Sequence, residues 1–537
     1  MTFRFFEDDL PLGTHLLDEG RLIVHRSPEG CRAALNRCQH MGGRFILQEG
    51  VLRCPKHGWQ LDPASMRYVN PRGALVQPEI ELRREEDGSL SARLPEAPSF
   101  EESAGSGAAQ TLQAGEWSLT FLAHACGAIR GGDDILVTDP WLQGPAFSRG
   151  WWLAHRPPRD WLTQLLEASA LFISHDHSDH LNAWTLRPLA AHRPDIPIYF
   201  PRFVGERVGY LLRRLGFQSL IPCDFGRWYT LKGGMRLMAL PDAAGRDDSA
   251  LLVDYRGHRL LNTVDCRNPN GGVLPSGIDV LLSAFAGGAS GYPICWTEMY
   301  DEEEIQRRIR RNLLSERAMV GELIEKTRPA LYVPFAGYFV EAHPSDSAIR
   351  ERNAKNSASE LAAWLRKRYP ELQLWCPSPG ERMDLARGEL QPYEGPLAEP
   401  EGFEPYLEEI SRSMFAEVLH DRAGLQRYFD WAAYRGDLVL HVLECDETMT
   451  QTLREFFVDF RDGQLKDRLP KGDVPYQRMR VRAEVFRHVL LEGSSWEEIS
   501  IGFQARFYRE PDIYHLDFWN HFQSGLPLSL PYPDLLK

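Results

Sequence analysis

Three kinds of apolar patterning succeed one another along the chain. From residue 1 to about 96, apolar residues come in short runs such as "RLIVHRS", "VLRC" and "SLSARL" with Gly and Pro between them, a pattern that predicts short β-strands joined by turns. The following stretch, "PEAPSFEESAGSGAAQTLQAGE", has few large side chains to bury, so 97–116 reads as a disordered linker. From 117 to 397 the strand-like runs "WSLTFLAHACGAI", "DILVTDPWL" and "ASALFISHDHSDH" lead into polar loops and alternate with helical stretches. The clearest helix is "DEEEIQRRIRRNLLSERAMVGELIEKT", where Ile305, Ile309, Leu313, Val320 and Ile324 recur at helical spacing and predict a scaffold helix with one buried face. Such alternation predicts a layered α/β domain. The prolines and glycines of "LQPYEGPLAEPEGFEP" mark a second boundary. Beyond it, 398–537 mixes helix-like "FEPYLEEISRSMFAEVLH" with strand-like "LVLHVLEC" and "FFVDF", an α+β domain.

Composition narrows the function classes. With 43% hydrophobic and 25% charged residues the chain has apolar surface enough for several cores. A formal net charge of -14 argues against nucleic-acid or anionic-membrane partners, which require a basic face. The most apolar stretch, Val280 to Trp296, is short for a membrane span and is broken by Gly287, Gly288, Gly291 and Pro293. The opening "MTFRFFEDDL" turns acidic at once, and the nine cysteines are odd in number and scattered, so a cytoplasmic protein with reduced or metal-bound thiols is expected.

Two clusters carry chemistry. Cys38-x-His40 and Cys54-x-x-His57 present one thiolate and one imidazole from each of two loops. A Rieske-type 2Fe-2S cluster needs that set, two Cys on one iron and two His on the other. A Cys2His2 zinc site is the competing reading, although zinc modules normally group like ligands together. The flanking "MGGRF" and "GWQLD" are similar to Rieske loops, in which glycine lets backbone amides approach the cluster. Cys31 falls outside the pattern, as an ordinary thiol.

In the second cluster, His175-x-His177-x-Asp179-His180 follows the apolar run "ALFIS", which places the ligands on a loop leaving a strand. His175 and His177 point to one side, while Asp179 and His180 reach toward a second ion, so one or two metal ions are expected here. This arrangement resembles the metallo-β-lactamase fold, an αββα sandwich. The resemblance implies Asp265, at the end of "RLLNTVDC", as a bridging carboxylate, and His343 in "PFAGYFVEAHPSD" as a late histidine ligand. His124 in "LAHAC" reads as a supporting or core residue more than a ligand. A histidine usual between the loop and the bridging Asp is missing from "LMALPDAAGRDDSALL", where Asp242, Asp247, Asp248 or nothing stands in for it. Imidazole and oxygen ligands favour iron or manganese, with zinc still open.

An electron carrier is useless to a hydrolase but is what reductive oxygen activation requires, so the two clusters together suggest that iron occupies the second site. The long strings "GPAFSRGWWL", "HRPDIPIY", "LLNTVDCRNPNGG", "AFAGGASG", "PFAGYFVEAHPSD" and "IGFQARFYREPDIYHLDFWNHFQ" resemble the CMP-N-acetylneuraminate hydroxylase family along nearly the whole chain. The resemblance implies a monooxygenase that uses O2, a Rieske 2Fe-2S cluster and non-haem iron to hydroxylate the N-acetyl group of a nucleotide sugar. It also implies NADH as the indirect reductant, through a reductase and cytochrome b5 or a ferredoxin-type donor. An anionic sugar nucleotide calls for arginines and aromatic faces. Arg149, Trp151, Trp152 and Arg156 are candidates, with core packing an equal reading, and the aromatic tail with Tyr514, Trp519 and His521 is expected to pack, closure of the pocket or a dimer contact being the alternatives. A related oxygenase acting on another amide or amine, a metal hydrolase of the same fold, and a non-enzymatic electron-transfer module are the alternatives.

Overall fold

The computed structural model describes all residues other than 1, 19, 39–43, 49, 55–58, 70, 73–75, 94–108, 204–205, 244–245, 276, 403–405, 407–416 and 524–537. The amino-terminal unit is built from three small sheets. Thr2–Phe5 and Leu82–Arg84 flank Leu90–Arg93, Gly13–Leu17, Leu22–Ser27 and Gly30–Leu35 form a meander, and four short strands run from Ile46–Gln48 to Arg67–Tyr68. The last sheet closes over a core containing Cys38, Phe45, Leu52, Cys54, Trp59 and Leu61, so both cluster cysteines are buried. Their partners His40 and His57 lie outside the described residues.

The central domain is an αββα sandwich. An eight-stranded sheet contains, as neighbours, Ala170–Phe172, Asp134–Thr138, Cys126–Gly131 and Trp117–Ala123. A seven-stranded sheet contains Arg236–Pro241, Ser249–Tyr255, His258–Asn262, Val280–Ser283 and Leu331–Pro334. Side chains alternate as strand geometry demands: Leu119, Phe121, Leu136 and Phe172 face the other sheet, while Leu122, Val137 and Leu171 face the helices Ala183–His192 and Arg207–Leu215. Helices Glu302–Thr327 and Ala358–Arg368 cover the second sheet through Val320, Leu323, Ile324, Leu361 and Leu365. Glu302–Thr327 is the helix expected from the apolar stripe, capped by Asp301 accepting from the Glu304 N–H at 2.8 Å, with Leu313 only partly buried.

The carboxy-terminal unit pairs a five-stranded sheet, centred on Val439–Cys445, with helices Arg422–Ala432, Ala483–Glu492 and Leu516–Gln523. The proposed boundary at 398 does not separate two cores. Trp141, Phe147, Trp151 and Phe339 of the sandwich share one apolar cluster with Tyr428, Phe486, Trp496 and Phe518. The same unit also grips the amino-terminal domain: Tyr514 and His515 pair in parallel with Pro71 and Arg72, and Leu516 enters the core around Cys38 and Cys54. Arg37 donates to Ala243 O at 2.9 Å, joining that domain to the sandwich. The end of the expected linker is ordered, since Gln110 N–H bonds Arg256 O and Gly115 N–H bonds Asp384 Oδ2. No helix among the described residues is long and apolar enough to cross a membrane.

Candidate metal centre

The His loop leaves strand Ala170–Phe172 and enters helix Ala183–His192, whose N-cap is Asn182. Its shape is held from below by Asp139, the acid of "VTDPWL", which sits at φ 38°. Asp139 accepts from the Ser174 N–H at 2.7 Å and hydroxyl at 2.8 Å, and its second oxygen lies 3.1 Å from His180 Nδ1. With Nδ1 engaged there, His180 turns Nε2 toward Asp179 and Asp265, at 3.5 and 3.7 Å. Ser174 Oγ lies 2.9 Å from His175 Nδ1, which leaves His175 Nε2 facing His177 Nδ1 at 2.8 Å.

Two sets of ligand atoms result, each within 4.8 Å: His175, His177 and Asp265, and His124, Asp179 and His180. Five of the six expected ligands are therefore brought together, on one loop and on the turn after strand His258–Asn262. The sixth, His343, belongs to neither set among the described residues. Its Nε2 is 2.7 Å from Glu447 of the carboxy-terminal unit and its Nδ1 accepts from Ser345, so both ring nitrogens are taken up away from the loop. His124 takes a place the sequence reading gave to a supporting residue, with Nε2 3.2 Å from Asp179 Oδ2.

The donors fit a metal ion. Asp179 Oδ1 and His180 Nε2 are buried with no hydrogen-bond partner among the described residues, a costly arrangement for groups that do not hold an ion. Imidazole and carboxylate donors suit non-haem iron. The neighbouring Cys266 thiol is pushed well above its usual range by burial and by Asp242, which disfavours a thiolate ligand. Where the extra histidine is missing, Asp248 comes nearest: it is buried 3.4 Å from His175 Nδ1, behind the ring, and burial and Asp265 push its carboxyl well above the usual carboxylate range. Asp242 instead accepts from the Asn268 N–H at 3.0 Å, and burial raises the Asp247 carboxyl. None of these three acids enters either set among the described residues.

A cavity of about 490 Å³ opens onto His177 and Asp265 and is walled by all three units: Arg53 and Trp59, Arg246, Arg267, Arg308 and Arg311, and Glu497, Phe507, Arg509, Tyr514 and Trp519. Arg267, Arg308 and Arg509 are paired with Glu316, Glu304 and Asp512. Arg53, Arg246 and Arg311 form no close ion pair among the described residues, although Arg246 acts at longer range on the Glu497 carboxylate, and Arg311 Nε is buried without a hydrogen bond. The sequence-based choice of cavity arginines is corrected here. Arg149 is buried against Glu447 at 3.0 Å, and Arg156 is exposed and bonded to Ala398 O. Trp151 does line the cavity, whereas Trp152 packs edge-on against Tyr406. In the aromatic tail Tyr514 and Trp519 reach the wall, and His521 bonds Ala432 O.

Sequence reading also missed Asp139, the cavity arginines other than by class, and Glu497, whose Oε2 lies 2.5 Å from His177 Nε2. Glu497 follows the His loop by more than 300 residues, and only a pair of acids in "SSWEEIS" hints at it.

The Rieske [2Fe-2S] domain family matches residues 4–76, which sets the zinc reading of the first cluster aside. Among solved structures, a mutant of CmlA beta-hydroxylase aligns at TM-score 0.34 and 18% identity over 51% of this chain and 55% of that one. The metallo-beta-lactamase fold protein YhfI from Bacillus subtilis aligns at TM-score 0.33 and 11% identity over 49% of this chain and 98% of its own. Cytidine monophosphate-N-acetylneuraminic acid hydroxylase of Danio rerio is 40% identical over 540 residues, covering 95% of this chain and 90% of that protein. The Macaca mulatta protein of the same name is 40% identical over 538 residues with the same coverage. The chain belongs to the cytidine monophosphate-N-acetylneuraminic acid hydroxylase family.

Proposed function

We propose that this protein is a monooxygenase that hydroxylates the N-acetyl methyl of CMP-N-acetylneuraminate. One oxygen atom of O2 enters the C–H bond to give the N-glycolyl group, and the other leaves as water with two electrons and two protons. The electrons come from NADH through a reductase and a small donor, cytochrome b5 or a ferredoxin-type protein. Cys38, His40, Cys54 and His57 would hold the Rieske cluster that receives them. His175, His177, Asp179, His180 and Asp265, with His124 beside them, would hold iron, which would supply the redox chemistry with O2 that these side chains lack.

The observation that carries this reading is the cavity, which sets arginines that form no close ion pair among the described residues, together with aromatic side chains, within one space bounded by His177 and Asp265. The substrate bears a phosphate and a carboxylate, and Arg53, Arg246 and Arg311 offer guanidinium forks to such groups. Arg267 stays bonded to Glu316, and that largely buried guanidinium–carboxylate pair keeps its charge compensated and out of competition for the anion. Trp59, Trp296, Phe507 and Trp519 line the same cavity and give it apolar surface suited to a base or a sugar ring. The walls contributed by Trp59 and Tyr514, whose rings lie 5.9 Å apart, place the Rieske domain directly against the cavity, which suits a relay within one chain.

The test is incubation of the full-length protein with reductant, CMP-N-acetylneuraminate and 18O-labelled O2, followed by mass spectrometry. One labelled oxygen in the sugar is the expected result. Hydrolysed substrate without label favours the hydrolase reading, and label in another amide but not in this one favours the related oxygenase.

A further inference from the structure

The metal ligands all come from the sandwich, yet the ring of His177 is completed by the carboxy-terminal unit. His177 Nδ1 faces His175, and its other nitrogen, Nε2, lies 2.5 Å from Glu497 Oε2. Both side chains are largely shielded from water. A carboxylate on the far nitrogen of a ligating imidazole fixes the tautomer, locks the ring plane and raises the basicity of the ligating nitrogen. Glu497 opens the four-residue helix Glu497–Ser500, and that helix is fastened to the sandwich on every side. Gly291 N–H donates to Ser500 O at 3.0 Å, Trp151 Nε1–H to Ile501 O at 3.0 Å, Ser148 Oγ lies 3.2 Å from Glu498 Oε2, and Gln504 Nε2 donates to Ser148 O at 2.9 Å. The segment approaches so closely because glycines meet there: a Cβ on Gly150 would fall 2.1 Å from Gly502 O, and one on Gly291 2.5 Å from Ser500 O.

We infer that Glu497 is a positioning residue of the metal centre, and that the carboxy-terminal unit exists in part to deliver it to His177. The inference rests on the metal reading of the His175–His177–Asp265 set and not on the identity of the substrate. It gives the carboxy-terminal unit a function that no ligand motif in its sequence announces.

The experiment titrates Fe(II) anaerobically into the full-length protein from which the non-Rieske iron has been removed by mild chelation, with the Rieske absorption and the thermal midpoint as folding controls. Glu497→Ala is expected to weaken iron binding by about 10–100-fold, the usual effect of removing such a partner. The near-isosteric Glu497→Gln, which still accepts from Nε2–H but carries no charge, is expected to weaken it by a smaller factor and to alter the ferrous spectrum. It supplies the test if the alanine variant does not fold. Glu498→Gln, on the same helix but bonded to Ser148, is expected to bind iron like the wild type. Unchanged affinity and spectrum in both Glu497 variants, or an equal loss in Glu498→Gln, overturns the inference. A wild-type protein that takes up no iron beyond the Rieske cluster refutes the metal reading, and absence of labelled product with normal iron uptake refutes the substrate reading alone.

Discussion

Replacing Gly150 by Ala tests whether close backbone contact between the sandwich and the carboxy-terminal unit sustains the metal centre. Gly150 has no positive φ, so its backbone accepts alanine without conformational strain and the perturbation is steric alone. The new methyl would lie 2.1 Å from Gly502 O and 2.5 Å from Gly502 Cα, both backbone atoms that no rotamer change can move aside. Restoring ordinary contact requires the two segments to part by about 1 Å, and overpacking of this kind costs about 1–3 kcal/mol. The same displacement applied to the 2.5 Å contact between Glu497 and His177 takes it out of hydrogen-bonding range. Two effects should therefore appear together: a lower thermal midpoint for the cooperative unit that joins sandwich and carboxy-terminal unit, and iron retention after gel filtration reduced on the order of tenfold. The Rieske absorption serves as internal reference, because neither Gly150 nor Gly502 belongs to the core around Cys38 and Cys54. A Gly150→Ala protein with wild-type stability and iron content would refute the argument.

Other expectations follow from charges and from the cavity. Arg482 and Arg506 both bind the buried Asp346, at 2.8 and 2.7 Å, so Arg482→Met leaves that carboxylate half-compensated and should cost about 3 kcal/mol in urea unfolding; a change below about 0.5 kcal/mol refutes it. Burial and the adjacent Glu447 raise the Glu484 carboxyl from 4.5 to about 7. The native state then holds a proton that the unfolded chain releases, so this group's stabilisation is present below the unfolded value and is lost as pH rises through about 7. Glu484→Gln should flatten the stability profile between those limits, and an unchanged slope would contradict the assignment. Arg311→Met removes one unpaired cation from the cavity wall and should raise KM for the nucleotide sugar by roughly 10–100-fold, with iron content unchanged; equal KM values would exclude Arg311 from anion recognition.

Much of the site was legible in the chain because it is local. His175, His177, Asp179 and His180 fall within six residues after an apolar strand, so strand alternation and a tight loop bring them together with little help from elsewhere. The Rieske cysteines follow the same rule, and the strands and the helix Glu302–Thr327 are visible as periodicity. What required the folded chain were the groups whose roles depend on direction and distance in space. His343 occupies the expected place in the order of motifs, but Glu447 and Ser345 claim its ring. Asp139 and His124 sit in strand ends that read as core, and the cavity cations come from separate elements instead of from the arginines nearest the aromatic run. Glu497 is the extreme case, since only two adjacent acids in its own segment hint at it. A sequence records which ligands are available over a few residues, where bond geometry limits their placement; pairing across hundreds of residues is set by how cores and glycine contacts lock the units together.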